Sequence, residues 1–289
     1  MSKTVFLFPG QGSQAVGMGV SEAENNPELA QKVFSTAKNA LGYDLFEICK
    51  NESEKLAHTL YAQPAIAAVS VLAADIFEAN GVFCDAVAGH SLGEYPAMYK
   101  AGVISLFDMF ALLKIRAEAM EKAAKTAGGV MYAVIGASSE DIENACKNAD
   151  GYVVPVNYNS SAQIVIAGEE AAAEKAVAEL TNLKAKCIKL GVSAAFHSEL
   201  MRGAYDEFRE KASGFVFKKP EKAFYSNLTG DVIGEITAEN LALHIISPVR
   251  FSDELQNLQK AGYDTFAECG PGKTLSGFVK KTLKGVNIL

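Results

Sequence analysis

Short apolar runs alternate with longer Ala-rich stretches along the chain, a texture that predicts an α/β protein. Residues 4–8 form the first predicted strand and run into Pro9-Gly10-Gln11-Gly12-Ser13, a glycine-rich turn. Residues 64–79 are almost continuously apolar, which predicts a helix buried between layers rather than one lying on the surface. A short strand is expected at 82–88, the sequence Gly89-His90-Ser91-Leu92-Gly93 follows at once, and a helix is expected at 106–125. Residues 21–26 read as loop.

From Gly128 the texture changes. A strand is predicted at 130–135, and Ser138 with Asp141 three places on resembles a capping box opening a helix to Lys147. Strands at 152–156 and 163–167 are joined by the turn-rich Asn157-Tyr-Asn-Ser-Ser161, and a helix at 169–183 precedes a strand at 186–190. Strand, helix, strand, strand, helix, strand is the split βαβ order of a ferredoxin-like module. Past Gly191 the larger texture resumes, with a helix at 198–212, a strand near 224–225, a helix at 239–246 and a strand at 265–268. The expected organisation is a discontinuous large domain, residues 1–125 and 192–289, interrupted by a small domain at 126–191.

Composition narrows the classes. With 289 residues, 49% hydrophobic against 21% charged, the chain can build a core and does not have the balance of a disordered protein. The net charge of -7 gives no long-range pull toward nucleic acid or an anionic membrane, so an acidic partner would have to meet a local basic patch. The apolar N-terminal run is too short for a signal peptide, and no run approaches the ~20 apolar residues of a membrane span. Five scattered cysteines without CxxC spacing argue against a disulfide framework and a zinc site. The expected setting is reducing and cytoplasmic.

Gly89-His90-Ser91-Leu92-Gly93 matches G-x-S-x-G, in which flanking glycines let a strand turn abruptly into a helix and leave a serine hydroxyl exposed. A serine needs a base, and four histidines are available. His90 adjoins the serine in a tight turn and suits a pocket wall better than a base. His58 and His244 read as solvated or helix-terminal. His197 sits in the small-residue loop at 192–198, where a base and a structural histidine are both open readings. Arg116 has Leu112, Leu113, Ala119 and Met120 as its helix neighbours, so its guanidinium projects along an apolar stripe. Such a cation needs an anion, either a core carboxylate or a ligand. Gly10-Gln11-Gly12-Ser13-Gln14-Ala15 also fits the dinucleotide fingerprint, although Pro9 intervenes and no second strand ends in the required acid; an amide turned toward an oxyanion explains the glycines equally well.

Taken together, Phe8-Pro-Gly-Gln-Gly-Ser-Gln14, Gln63-Pro64, Gly89-His-Ser-Leu-Gly-Glu-Tyr95, Arg116, Asn157-Tyr-Asn159, Phe196-His197, Pro248-Val249 and Gly270-Pro-Gly272 resemble the malonyl-CoA:acyl carrier protein transacylases over nearly the whole chain. The resemblance implies an α/β-hydrolase-like large domain with an inserted ferredoxin-like small one. It makes Ser91 the nucleophile, His197 its base, the amides of Gln11 and Leu92 an oxyanion hole, and Arg116 the partner of the malonyl carboxylate. Gln63, His90 and Asn159 line the site. The histidine is oriented by a backbone carbonyl, expected at Arg250, rather than by an acid.

The implied reaction is ping-pong transfer from malonyl-CoA to the phosphopantetheine thiol of holo acyl carrier protein, with neither metal nor redox cofactor, no nucleic acid and no membrane. A chain without fused domains favours a carrier of fatty acid over polyketide synthesis. Phe196 leaves little room for an α-methyl group. Candidate basic residues for docking an acidic carrier are Lys186, Lys189, Arg202, Lys218, Lys219, Lys222, Lys280, Lys281 and Lys284. The competing readings are a serine hydrolase using an acid such as Asp141 or Asp150, a non-catalytic carrier-docking module, and a nicotinamide-binding enzyme.

Overall fold

A computed structural model describes residues 2–192 and 194–289; Met1 and Ser193 lie outside the described residues. Among the described residues ten strands form two sheets: β1 (Thr4–Phe8), β2 (Ala86–Gly89), β3 (Val130–Ile135), β4 (Val153–Ser160), β5 (Gln163–Gly168), β6 (Lys186–Lys189), β7 (Ala223–Ser226), β8 (Asp231–Ile233), β9 (Thr265–Glu268) and β10 (Asn287–Ile288). The larger sheet runs β10-β9-β1-β2-β7-β8 and is parallel except for the edge pair β7–β8.

Because side chains alternate across a strand, β1 feeds both faces of this sheet. Phe6 and Phe8 join the large core under helices Thr59–Ala79 and Leu106–Ala127, while Val5 and Leu7 pack with residues of helices Phe251–Lys260 and Thr274–Thr282. Buried on both faces, the central strands are continuously apolar, as parallel strands between helical layers must be.

Helix Thr59–Ala79 is long and apolar enough to cross a membrane, contrary to the expectation from the sequence that no run is, and 72% of its apolar window is buried inside this fold. Pro64 lies within it and offers no N–H to the Leu60 carbonyl; the Tyr43 hydroxyl donates to that carbonyl instead, at 3.3 Å.

The second sheet is antiparallel, ordered β4-β5-β3-β6. Val130, Tyr132 and Val134 of β3 pack toward helices Ser139–Asn148 and Glu170–Asn182, whereas Met131 and Ala133 face the other way, into a cluster with Val165 and Ala195. Ser138 caps the first of these helices, accepting from the Asp141 amide at 3.1 Å as its spacing predicts.

Two local expectations fail. Residues 20–25 form a short helix, Val20–Asn25, rather than loop; it buries Ala23 against the long core helix. Asn157 to Ser160 do not form the turn but continue β4, with register shifts between Pro155 and Asn157 and between Tyr158 and Ser160. The stretch is held from outside its own sheet by the Tyr158 amide, which donates to the Val249 carbonyl at 2.9 Å, and by His90 at Asn159 Oδ1, while Asn159 Nδ2 donates to Gln163 of the adjacent β5. Turn-forming asparagines thus make long-range bonds here.

Candidate active site

Ser91 sits where β2 breaks into a single 3-10 turn and then helix Glu94–Lys100. Its φ of 54° lies in the left-handed region, a strained choice for a side-chain-bearing residue. The flanking glycines are sterically required. A Cβ on Gly89 would meet the Gly93 carbonyl carbon at 2.1 Å, and one on Gly93 would meet the Phe8 carbonyl oxygen at 2.0 Å. Pro96 falls in the first turn of the following helix, where its missing N–H costs nothing.

Two side chains converge on the Ser91 hydroxyl. His197 Nε2 lies 2.8 Å from Oγ, and Arg116 Nη2, from helix Leu106–Ala127, donates to the same oxygen at 3.0 Å. Arg116 Nη1 donates to Gln63 Oε1 at 2.8 Å. The tautomer of His197 follows from its other nitrogen, which is 2.9 Å from the carbonyl oxygen of His244. A carbonyl can only accept, so Nδ1 carries the proton and Nε2 offers its lone pair to the serine hydroxyl. Burial and the nearby His244 and Arg116 hold the His197 pKa well below its ordinary value, keeping the ring neutral. A hydroxyl bonded to a neutral imidazole and a guanidinium is set to lose its proton to the ring.

The carbonyl that orients His197 is therefore that of His244 and not, as expected, that of Arg250. Helix Ala238–Ile246 ends just past His244, so this carbonyl has no partner within its helix. The Arg250 carbonyl opens helix Phe251–Lys260 and accepts the amides of Asp253 and Glu254. His244 is also not solvated: it is buried, with Nδ1 3.0 Å from Glu94 Oε2.

Arg116 is 1% exposed and, among the described residues, forms no ion pair with a carboxylate. The Tyr95 ring lies 5.8 Å from its guanidinium carbon, and Nε has no partner. Desolvation by burial lowers its pKa, with Tyr95 and Glu94 acting in the opposite sense, and no carboxylate of the described residues lies within ion-pair distance of it.

The hydroxyl opens into a cavity of about 960 Å³. Gln11, Gln63, His90, Asn159, Phe196 and His197 line it. Leu92 is buried beneath the elbow, its amide in the first turn after Ser91. His90 Nε2 donates to Asn159 Oδ1 at 2.7 Å, and burial lowers the ring's pKa to about 4, so it is neutral near pH 7. His197, and not His90, reaches the Ser91 hydroxyl, so the role of base to Ser91 does not fall to His90. His58, the N-cap of the long core helix, is exposed at the mouth. Among the described residues no three His, Cys, Asp or Glu side chains gather as metal ligands.

The nine basic candidates separate. Ile188 and Leu190 of the β6 segment and Phe278 of helix Thr274–Thr282 line the cavity, which places Lys186, Lys189, Lys280 and Lys281 on elements at its edge, with Lys284 just beyond. Lys189 is bonded to Glu170 and Arg202 to Glu199. The Lys218 amide bonds the Val103 carbonyl and Lys222 reaches the Cys84 carbonyl ahead of β2, so the 218–222 segment lies at the end of the sheet opposite Ser91. Sequence reasoning missed Lys125, which lines the cavity and pairs with Glu121. It also missed Asn227, whose side chain accepts the Ser91 amide at 2.8 Å; the four-residue strand before it carries no signal of that contact.

The acids proposed for a hydrolase triad do not approach His197. Asp141 accepts from the hydroxyl of Ser138, which caps its helix, and Asp150 is solvent-exposed and paired with Lys175. The dinucleotide reading fails too, since β2, the strand paired next to β1, ends in Gly89 rather than an acid.

Residues 5–288 match the acyl transferase domain family. The chain belongs to that family. This acyl transferase is 38% identical to the malonyl CoA-acyl carrier protein transacylase of Bacillus subtilis strain 168, with 97% of this chain and 90% of the relative covered, and 37% identical to that of Salmonella typhimurium strain LT2 over 97% and 93%. The crystal structure of MCAT from Streptococcus pneumoniae superposes with a TM-score of 0.94 at 40% identity, covering 99% of this chain and 95% of that one. A malonyl-transacylase bound to the acyl-carrier protein AntF of a type II PKS superposes at 0.93 with 34% identity, covering 99% and 95%.

Proposed function

We propose that this acyl transferase moves a malonyl group from malonyl-CoA to the phosphopantetheine thiol of holo acyl carrier protein, through an ester on Ser91. The observation that carries the reading is the buried Arg116 guanidinium, 3.0 Å from the Ser91 hydroxyl and without a carboxylate of its own. A donor with a free carboxylate two bonds from its thioester carbonyl supplies the missing anion, and a planar fork takes such a group bidentately. Gln63, already bonded to Nη1, fixes the plane of the fork.

In the first half-reaction Ser91 Oγ gives its proton to His197 Nε2 and attacks the thioester carbon. The oxyanion is met by the amides of Gln11 and Leu92. Collapse breaks the carbon–sulfur bond, and the coenzyme A sulfur takes the proton from His197. In the second half the carrier thiol gives its proton to His197, attacks the malonyl-serine ester, and the serine oxygen recovers the proton. The His244 carbonyl accepts Nδ1–H throughout. His90 and Asn159 form the wall opposite, and Phe196 narrows the space beside the α-carbon.

The two sheets support reading the chain as an α/β-hydrolase-like large domain, residues 1–125 and 192–289, with a ferredoxin-like insertion at 126–191. The order β6-β3-β5-β4 is the fourth, first, third and second strand of that module. The cavity lies where the apolar second face of the small sheet meets the elbow, and a carrier of fatty acid biosynthesis is the proposed acceptor. Incubation with malonyl-CoA and holo carrier protein tests the reading: malonyl on the carrier is expected, and predominant release of free malonate would sink it.

A further inference from the structure

Beneath Ser91 lies a buried polar cluster that the reaction steps do not use. Asn227, 0% exposed, follows β7 directly beside the elbow. Its Oδ1 accepts the Ser91 amide at 2.8 Å, and its Nδ2 donates to the Gly89 carbonyl at 2.6 Å and also to Glu254 Oε1. One side-chain amide thus grips the chain on both sides of His90, across the residue pair where the strand turns. Glu94 Oε1 accepts the Asn227 backbone amide at 2.7 Å, which holds the residue itself in place.

We propose that Asn227 is a positioning residue for the acyl-transfer reaction, a two-point clamp that keeps Ser91 in its left-handed conformation with Oγ aimed at His197. The assignment rests on the reading of Ser91 as the acyl acceptor. Three considerations carry it. The Ser91 amide belongs to no helix or strand ladder, so its bond is supplied from outside. A φ of 54° is strained for a side-chain-bearing residue and persists only where the surroundings over-determine it. The donor and acceptor ends of the amide are also fixed by their partners: the Ser91 N–H must meet an acceptor, and the Gly89 carbonyl must meet a donor. Only asparagine satisfies both at this reach.

The chemistry around the clamp defines a specific test. An aspartate at 227 keeps the acceptor for Ser91 but turns a lone pair toward the Gly89 carbonyl and Glu254. The charged and titratable groups around it are Glu94 on helix Glu94–Lys100, His244 on helix Ala238–Ile246, and Glu254 with Asp253 on helix Phe251–Lys260. Burial, with the Glu94 charge second, pushes the Glu254 carboxyl well above its ordinary value, and a second carboxyl beside it is raised in the same way. Taking up a proton restores the missing donor.

The experiment is single-turnover acylation by malonyl-CoA, followed by intact mass across pH 6 to 8, with circular dichroism reporting the folded fraction. Asn227→Asp is expected to lose about 100-fold in acylation rate at pH 8, with KM for malonyl-CoA held within about twofold, and to recover as pH falls while the unaltered protein stays flat. If Asn227→Asp does not fold, Asn227→Ser, which lacks both grips and any titrating group, is expected to show the same loss in rate with KM unchanged and no pH recovery. An unchanged rate in whichever variant folds, a loss confined to KM, or a pH-independent loss in Asn227→Asp would overturn the clamp. Ser91→Ala in the same assay separates the two claims: an adduct on it removes the acceptor reading, whereas no adduct on Ser91→Ala together with a normal rate in the Asn227 variants removes the clamp alone.

Discussion

At the scale of single residues, the site is organised by what burial does to charge. Arg116 keeps a guanidinium in the core without a carboxylate, an arrangement that costs several kcal/mol unless an anion arrives from outside. Arg116→Ala is therefore expected to lose about 2 to 5 kcal/mol of transition-state stabilisation for malonyl transfer, while acetyl transfer, which loses only the Arg116 bond to the Ser91 hydroxyl, falls less; kcat/KM for the two donors measures it, and unchanged discrimination would remove the carboxylate role. His197 needs no acid, because the orphaned His244 carbonyl already fixes its tautomer. That carbonyl was not legible in the sequence. Which helix ends near the imidazole depends on how helices Ala238–Ile246 and Phe251–Lys260 pack, and a resemblance pointed six residues too far along the chain. Arg116 was legible, since four apolar neighbours at helical spacing force its direction.

At the scale of elements, strands β3 and β9 coincide with the apolar runs that predict them, and the helix that carries Arg116 differs from its expected span only by its last turn. Such elements announce themselves because one periodicity dominates the window. The continuation of β4 through Asn157 to Ser160 was hidden, because residues with strong turn chemistry are held by Val249 and His90, both distant in sequence. The elbow itself was legible from its glycines, and the structure adds the steric reason. Gly89→Ala is expected to destabilise the fold by at least about 3 kcal/mol, as an added Cβ would overlap the Gly93 backbone. Urea unfolding checks this, and a midpoint equal to that of the unaltered protein would show that the turn relaxes.

At the scale of the whole molecule, two sheets are arranged so that the C-terminal ends of β1 and β2 face the apolar side of the smaller sheet, with the cavity between them. Titration links this site to global stability. His90, at about 4, and His197 both titrate below the ordinary histidine value in the folded state, so between pH 6.5 and about 4 the unfolded chain binds more protons. Their contribution is present above pH 6.5 and is lost as pH falls, at about 1.4 kcal/mol per pH unit for each histidine. Glu254 acts in the opposite sense: its raised value contributes stability that is lost as pH rises through it. Thermal melting is expected to peak near neutrality and fall on both sides, and a melting temperature that holds steady from pH 7 to 5 would contradict the acid-side sign. The most direct test of the central claim is the intact mass of the protein after mixing with malonyl-CoA. The unaltered chain is predicted to gain one malonyl group that holo acyl carrier protein then removes, and Ser91→Ala to gain none; an undiminished adduct on Ser91→Ala would place the nucleophile elsewhere.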